Sequence, residues 1–159
     1  MLLALAMLLA FRTNTDAHLR GVQLFRQHNY NGALAVLQEA IQQEQPQSEE
    51  YRESAMLIGQ SYFMLSEAPK AIPWLEKVPA TNESSYMLGY AYHQAGKEEQ
   101  AVASFARLFG VNPQSAAAHL LTGQMLVKRQ LEDAGEEEIK KALAMNPKFV
   151  TCHLNFWMA

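Results

Sequence analysis

The chain offers little to acid–base, nucleophilic or metal chemistry: five histidines, two aspartates, one cysteine and a set of glutamates among 159 residues. His18, His28, His93, His119 and His153 are scattered, and no two stand four apart with a glutamate between them, the helical spacing that zinc hydrolysis uses. Asp16 and Asp133 leave little material for a paired acid and base. Cys152 adjoins His153, yet neighbours on a helix point about 100° apart and do not face each other. The glycines fall inside helical patterns rather than in a phosphate-cradling loop after a strand. No catalytic centre, metal site or cofactor is expected.

The elements that position these residues are legible in Ser84–Pro113, SSYMLGYAYHQAGKEEQAVASFARLFGVNP. Leu88, Gly89 and Tyr92 share one stripe, and Ala101, Phe105 and Leu108 another, both at helical spacing, with a turn at Gly96 between them. Glycine inside a helix costs about 1 kcal/mol relative to alanine. Close approach of the second helix's backbone at the small residue Ala101 is the expected compensation. Pro113 ends the second helix because it has no N–H to donate.

The unit recurs. Gly21, Gly59, Gly89 and Gly123 are followed twelve residues later by Ala33, Ala71, Ala101 and Gly135. Three residues after each glycine stands Leu24, Tyr62, Tyr92 or Leu126, and a bulky residue recurs in the second helix as Leu37, Leu75, Phe105 and Ile139. The glycine-to-glycine steps are 38, 30 and 34 residues. The first two depart from 34 by about one helical turn in opposite senses, which keeps the apolar face in phase. This pattern resembles the tetratricopeptide repeat family, whose unit has 34 residues.

The resemblance implies an all-α fold: an α-solenoid, a right-handed superhelix of about four helix-turn-helix units plus a terminal helix. Residues 14–47, 52–81, 82–115 and 116–149 are the expected repeats. In the first, Arg20 precedes the glycine where the family usually has leucine, and Pro46 closes the repeat one residue late. The second has a short second helix bounded by Pro69, Pro73 and Pro79. In the fourth, the run EEEIKK sets Glu136 against Lys140 and Glu137 against Lys141, a solvated face. Residues 150–159 open a fifth unit in which Trp157 takes the glycine's place. They read either as a capping helix or as the point where a longer repeat protein is cut.

Composition agrees with a helical interaction protein. Nearly half the residues are apolar and glycine and proline are few, so a disordered chain is not expected. A net charge of −3 with no basic block leaves no electrostatic footprint for nucleic acid. Residues 1–13 form an apolar N-terminal segment whose run MLLALAMLLAF is too short to span a bilayer as a helix. Three readings are open: an export signal without the usual positive start, a membrane-proximal anchor, or a helix capping the first repeat. The first implies the periplasm or cell envelope and the last the cytoplasm. Membrane contact is expected only through residues 1–11.

In the family the first helix of each repeat lines a concave groove. Carried over by register, the partner-contacting positions are Met56, Gln60 and Phe63, then Tyr86, Tyr90 and His93, then Leu120, Gln124 and Val127. The family's carboxylate clamp for chaperone tails needs Lys, Asn and Arg at such positions, and here only Lys128 lies nearby. A largely neutral groove rich in aromatics and methionine suits an apolar peptide or helix. The expected function is a non-catalytic scaffold holding a protein partner; the alternative is the docking or regulatory portion of a larger multidomain protein or enzyme.

Overall fold

The computed structural model describes residues 16–149, and their regular structure is entirely helical. Residues 16–26 form α1. It is followed by α2 (Tyr30–Ala40), α3 (Glu49–Met64), α4 (Ala68–Leu75), α5 (Asn82–Gln94), α6 (Glu98–Phe109), α7 (Ala116–Lys128) and α8 (Glu132–Met145), then a 3₁₀ turn, Pro147–Phe149. The apolar segment 1–13 and the expected fifth unit, 150–159, with Cys152, His153 and Trp157, lie outside the described residues. The chain divides into two compact units, Met1–Ala80 and Thr81–Ala159.

Local chemistry starts and stops these helices. Ser48 and Ser115 cap α3 and α7 by accepting from the backbone N–H groups of Tyr51 and Ala118. At α5 the capping box is reciprocal, with Thr81 accepting from the Ser84 N–H and the Ser84 hydroxyl accepting from the Thr81 N–H. Each cap satisfies donors that have no partner within the helix. The short α4, eight residues with Pro69 at its start and Pro73 inside it, agrees with the proline reading. Proline at the first turn loses nothing, but Pro73 lies further in and weakens continuation.

The four hairpin turns share one device. The residue seven places after each recurring glycine has a left-handed backbone: His28 (φ 59°), Ser66 (φ 62°), Gly96 (φ 69°) and Gln130 (φ 62°). The next N–H reaches back to a carbonyl near the end of the first helix, as Asn29 to Leu24, Glu67 to Tyr62, Lys97 to Tyr92 and Leu131 to Leu126. This is the Schellman closure, which satisfies an orphan carbonyl and reverses the chain. Only one of the four turns uses glycine for it.

At the helix crossings the glycines leave room for residues of the second helix. A Cβ added at Gly21 would lie 2.4 Å from Leu37, at Gly59 2.5 Å from Leu75, and at Gly89 2.5 Å from the Phe105 ring. In these three hairpins the missing side chain makes room for the bulky residue sixteen positions on. In α7–α8 the equivalent side chain enters too, since a Cβ at Gly123 would stand 2.6 Å from Ile139 Cγ1, and the backbone is as near, with the Gly135 carbonyl oxygen also at 2.6 Å. Ala33, Ala71 and Ala101 are fully buried small residues beside these crossings.

Each unit has its own core. In the first, Ala33, Leu34, Leu37, Ile41, Ala55 and Ile58 pack together, with Tyr62, Trp74 and Val78 against them. In the second, Val102 and Ala106 of α6 pack on Ala118 of α7, and Leu120 packs with Ile139 and Ala142 of α8.

Candidate functional site

The nine register positions fall on three helices. Met56, Gln60 and Phe63 sit along α3 of the first unit and are all half-buried. In the second unit Tyr86, His93, Gln124 and Val127 are half-buried, whereas Tyr90 is 3 % exposed and Leu120 8 %. Leu120 belongs to the core between α7 and α8. Val127 also faces α8, since a Cβ on Gly135 would lie 2.5 Å from its Cγ2. His93 turns toward the start of α6, with Nδ1 3.1 Å from both carboxylate oxygens of Glu98.

Around Tyr86 and Tyr90 the structure assembles a cluster that joins α5 to the end of α7. The two rings meet edge to face at 5.0 Å between centroids, and Tyr90 meets Phe105 in the same manner at 5.0 Å. The Tyr90 hydroxyl donates to the Met125 carbonyl at 2.6 Å. Arg129 lays its guanidinium 5.6 Å from the Tyr86 ring centroid and 5.0 Å from that of Tyr90, and its Nε–H donates to the Tyr86 hydroxyl at 3.2 Å. Burial, and next the neighbouring Tyr86, push the Tyr90 phenol well above its ordinary range; Arg129 pulls the other way without prevailing. Tyr90 is therefore a neutral phenol at physiological pH.

Arg129 corrects the expectation of a neutral face with only Lys128 nearby. Its side chain is exposed, and it is fixed by rings 43 and 39 positions earlier in the chain. A basic residue at a helix C-terminus is common enough that its type carries no message. The reach from the turn after α7 back to α5 follows from how two hairpins pack.

The histidines are less isolated in space than in sequence. His18, 6 % exposed, places Nδ1 2.9 Å from the Ser54 hydroxyl and 3.2 Å from Glu44, and Nε2 3.2 Å from Glu53. Ser54 is fully buried and donates to Glu44 Oε1, so its oxygen is inaccessible as a nucleophile. His119 places Nδ1 2.7 Å from the buried Glu138, which also accepts from Lys141. That bond from Glu138 is the main cause raising the Lys141 ammonium above its ordinary value, with burial opposing it. These pairs tie α1 to α3 and to the turn after α2, and α7 to α8; the carboxylates of Glu44 and Glu138 are buried, which is costly unless they are hydrogen-bonded. Among the described residues no group of three or more His, Cys, Asp or Glu is arranged to hold a metal ion, and no helix is long and apolar enough to cross a membrane.

Paired helices that cross at a small residue and follow one another in chain order define a helical-repeat protein of the α-solenoid class. The model of the Tetratricopeptide repeat family matches residues 18–85 and 86–148, and the chain belongs to that family. Solved structures of MamA share its fold. One crystal structure of MamA is 20% identical, with 87% of this chain and 81% of that one covered and a TM-score of 0.56. MamA 41-end from Desulfovibrio magneticus RS-1 is 19% identical, with 85% and 76% covered and a TM-score of 0.57. MamA MSR-1 is 20% identical, with 80% and 74% covered and a TM-score of 0.53. Among curated proteins no relative matches the chain. Repeats of this family are typically non-catalytic, and the chain is a protein-interaction scaffold.

Proposed function

We propose that the first-helix faces of the repeats hold an apolar peptide or helix of a partner protein. On this reading Met56, Gln60 and Phe63 serve the first unit, and Tyr86, Tyr90, His93, Leu120, Gln124 and Val127 the second. The residues divide in role. Tyr90 and Leu120 are buried and brace the face, while Tyr86 and Phe63 retain surface for contact. The observation that supports the reading best is Tyr86: a half-buried aromatic held edge-on by Tyr90 and stacked under Arg129. An aromatic already fixed in one orientation offers large contact area at little further entropic cost.

The test is selection of a randomised peptide library on the full chain, followed by binding to Tyr86→Ala and Phe63→Ala. Apolar peptides should enrich, and one or both substitutions should weaken them about tenfold or more while the helical circular dichroism is unchanged. No enrichment, or affinity indifferent to both changes, would overturn the reading. Tyr90→Ala is a poor probe, because loss of a buried ring damages the fold itself.

A further inference from the structure

We propose that His18 is a proton-operated latch, which holds α1 against α3 and the turn after α2 while its ring carries two protons. Both ring nitrogens face oxygen atoms. Nδ1 stands 2.9 Å from the Ser54 hydroxyl oxygen and 3.2 Å from Glu44 Oε1, and Nε2 stands 3.2 Å from Glu53 Oε2. The Ser54 hydroxyl already donates to Glu44 Oε1, so toward the ring its oxygen accepts. A neutral imidazole donates from one nitrogen and accepts at the other, whereas the doubly protonated ring donates from both. The three acceptors around His18 are therefore satisfied together only by an imidazolium.

The charges that face the ring have the complementary sign. Glu44 in the turn after α2 and Glu53 on α3 touch it, and Glu50 on α3 interacts with it electrostatically. The charged residues beside it on α1, Asp16 and Arg20, are exposed. Glu44 is buried, and among the described residues its Oε2 has no hydrogen-bond partner, so its charge depends on the donors at Oε1. When the ring gives up its second proton, Nε2 turns a lone pair toward Glu53, whose half-exposed side chain is free to swing into water. Glu44 keeps its two donors but no longer faces a cation. In register His18 stands three residues before Gly21, as Met56, Tyr86 and Leu120 stand before their glycines. The latch thus governs, in the first repeat, the place those residues hold in the others.

The experiment is hydrogen exchange on the full chain, read by mass spectrometry from about pH 5.5 to about pH 8, the range in which histidine changes charge. Rates are expressed as protection of residues 16–26 relative to an unstructured chain at the same pH. Wild-type protection of α1 should fall about three- to tenfold across that range. Glu53→Gln alters a half-exposed side chain and leaves the apolar contacts of α1 in place. Its amide can accept from an Nε2–H or donate to an Nε2 lone pair, so the fall should shrink in this variant. His18→Gln should abolish the dependence on pH. If that variant leaves α1 unprotected at every pH, Glu53→Gln decides alone. A flat wild-type profile, a fall as steep in Glu53→Gln as in wild type, or a fall that persists in His18→Gln overturns the assignment.

Discussion

The two hairpins of the second unit solve the same packing problem in different ways. In α5–α6 the space above Gly89 is occupied by the Phe105 ring, which is fully buried and in turn supports Tyr90. In α7–α8 two glycines face each other, and the Gly135 carbonyl approaches where a Gly123 side chain would be. The recurring glycine is thus a place for a neighbour to enter: the Phe105 ring supplies the nearest atoms in one hairpin, and the Ile139 side chain and the Gly135 carbonyl share the space in the other. A side chain can adjust by changing rotamer, whereas a peptide group in a helix cannot move without its hydrogen bonds.

The largest effect should come from emptying the space above the glycine. Phe105→Ala removes a fully buried ring at the Gly89 crossing and should cost about 3–5 kcal/mol in denaturant unfolding. A cost below about 1 kcal/mol would mean that the glycine, rather than the ring, organises this crossing.

Filling the space should separate the hairpins next. Gly123→Ala drives a methyl into the Gly135 carbonyl as well as the Ile139 side chain. Its overpacking penalty of about 1–3 kcal/mol should exceed the gain of about 1 kcal/mol in helix propensity. Gly89→Ala meets the Phe105 ring first and should cost less when combined with Phe105→Leu than the two single changes sum to, with a coupling of at least 0.5 kcal/mol. Equal penalties in both hairpins, with no coupling, would erase the distinction between ring and backbone contact.

A smaller effect distinguishes the turns. Gly96 adopts its left-handed conformation without a Cβ, whereas Ser66 adopts nearly the same φ with one. Gly96→Ala should destabilise the fold by about 1–2 kcal/mol, and Ser66→Gly should raise the melting temperature through relief of about 1 kcal/mol of strain. A fall in melting temperature for Ser66→Gly would show that the serine side chain outweighs its backbone cost.

The smallest effect is electrostatic and lies in α8. Lys141 is raised above its ordinary value of 10.5 by Glu138, so its contribution is complete below that pH and fades as pH climbs through the raised value. The melting-temperature gap between wild type and Lys141→Met should be constant near neutral pH and close at more alkaline pH. A gap unchanged there would assign the lysine's role to its methylene stem.

The helical class, the four hairpins and the entering residues Leu37, Leu75, Phe105 and Ile139 could be read from spacing, because a 3.6-residue period writes each buried stripe into the sequence. Which atoms fill the space above each small position was not legible. Periodicity says which residues face the neighbour but not whether side chain or backbone arrives first. The turn residues were read only at Gly96, since His28, Ser66 and Gln130 are not types that announce a left-handed backbone.

By itself the sequence determined that this chain pairs helices around a repeated small residue, since that arrangement depends on neighbours within one unit of the repeat. Tertiary structure alone decided which first-helix residues keep any surface. Tyr90 shares its register position with half-buried Gln124, and Leu120 with half-buried Tyr86, yet contacts from Phe105, Met125 and Ile139 enclose Tyr90 and Leu120. It also decided that Arg129 lies on Tyr86 and Tyr90. That contact joins residues from two hairpins, and a local period cannot encode where one hairpin ends against the next.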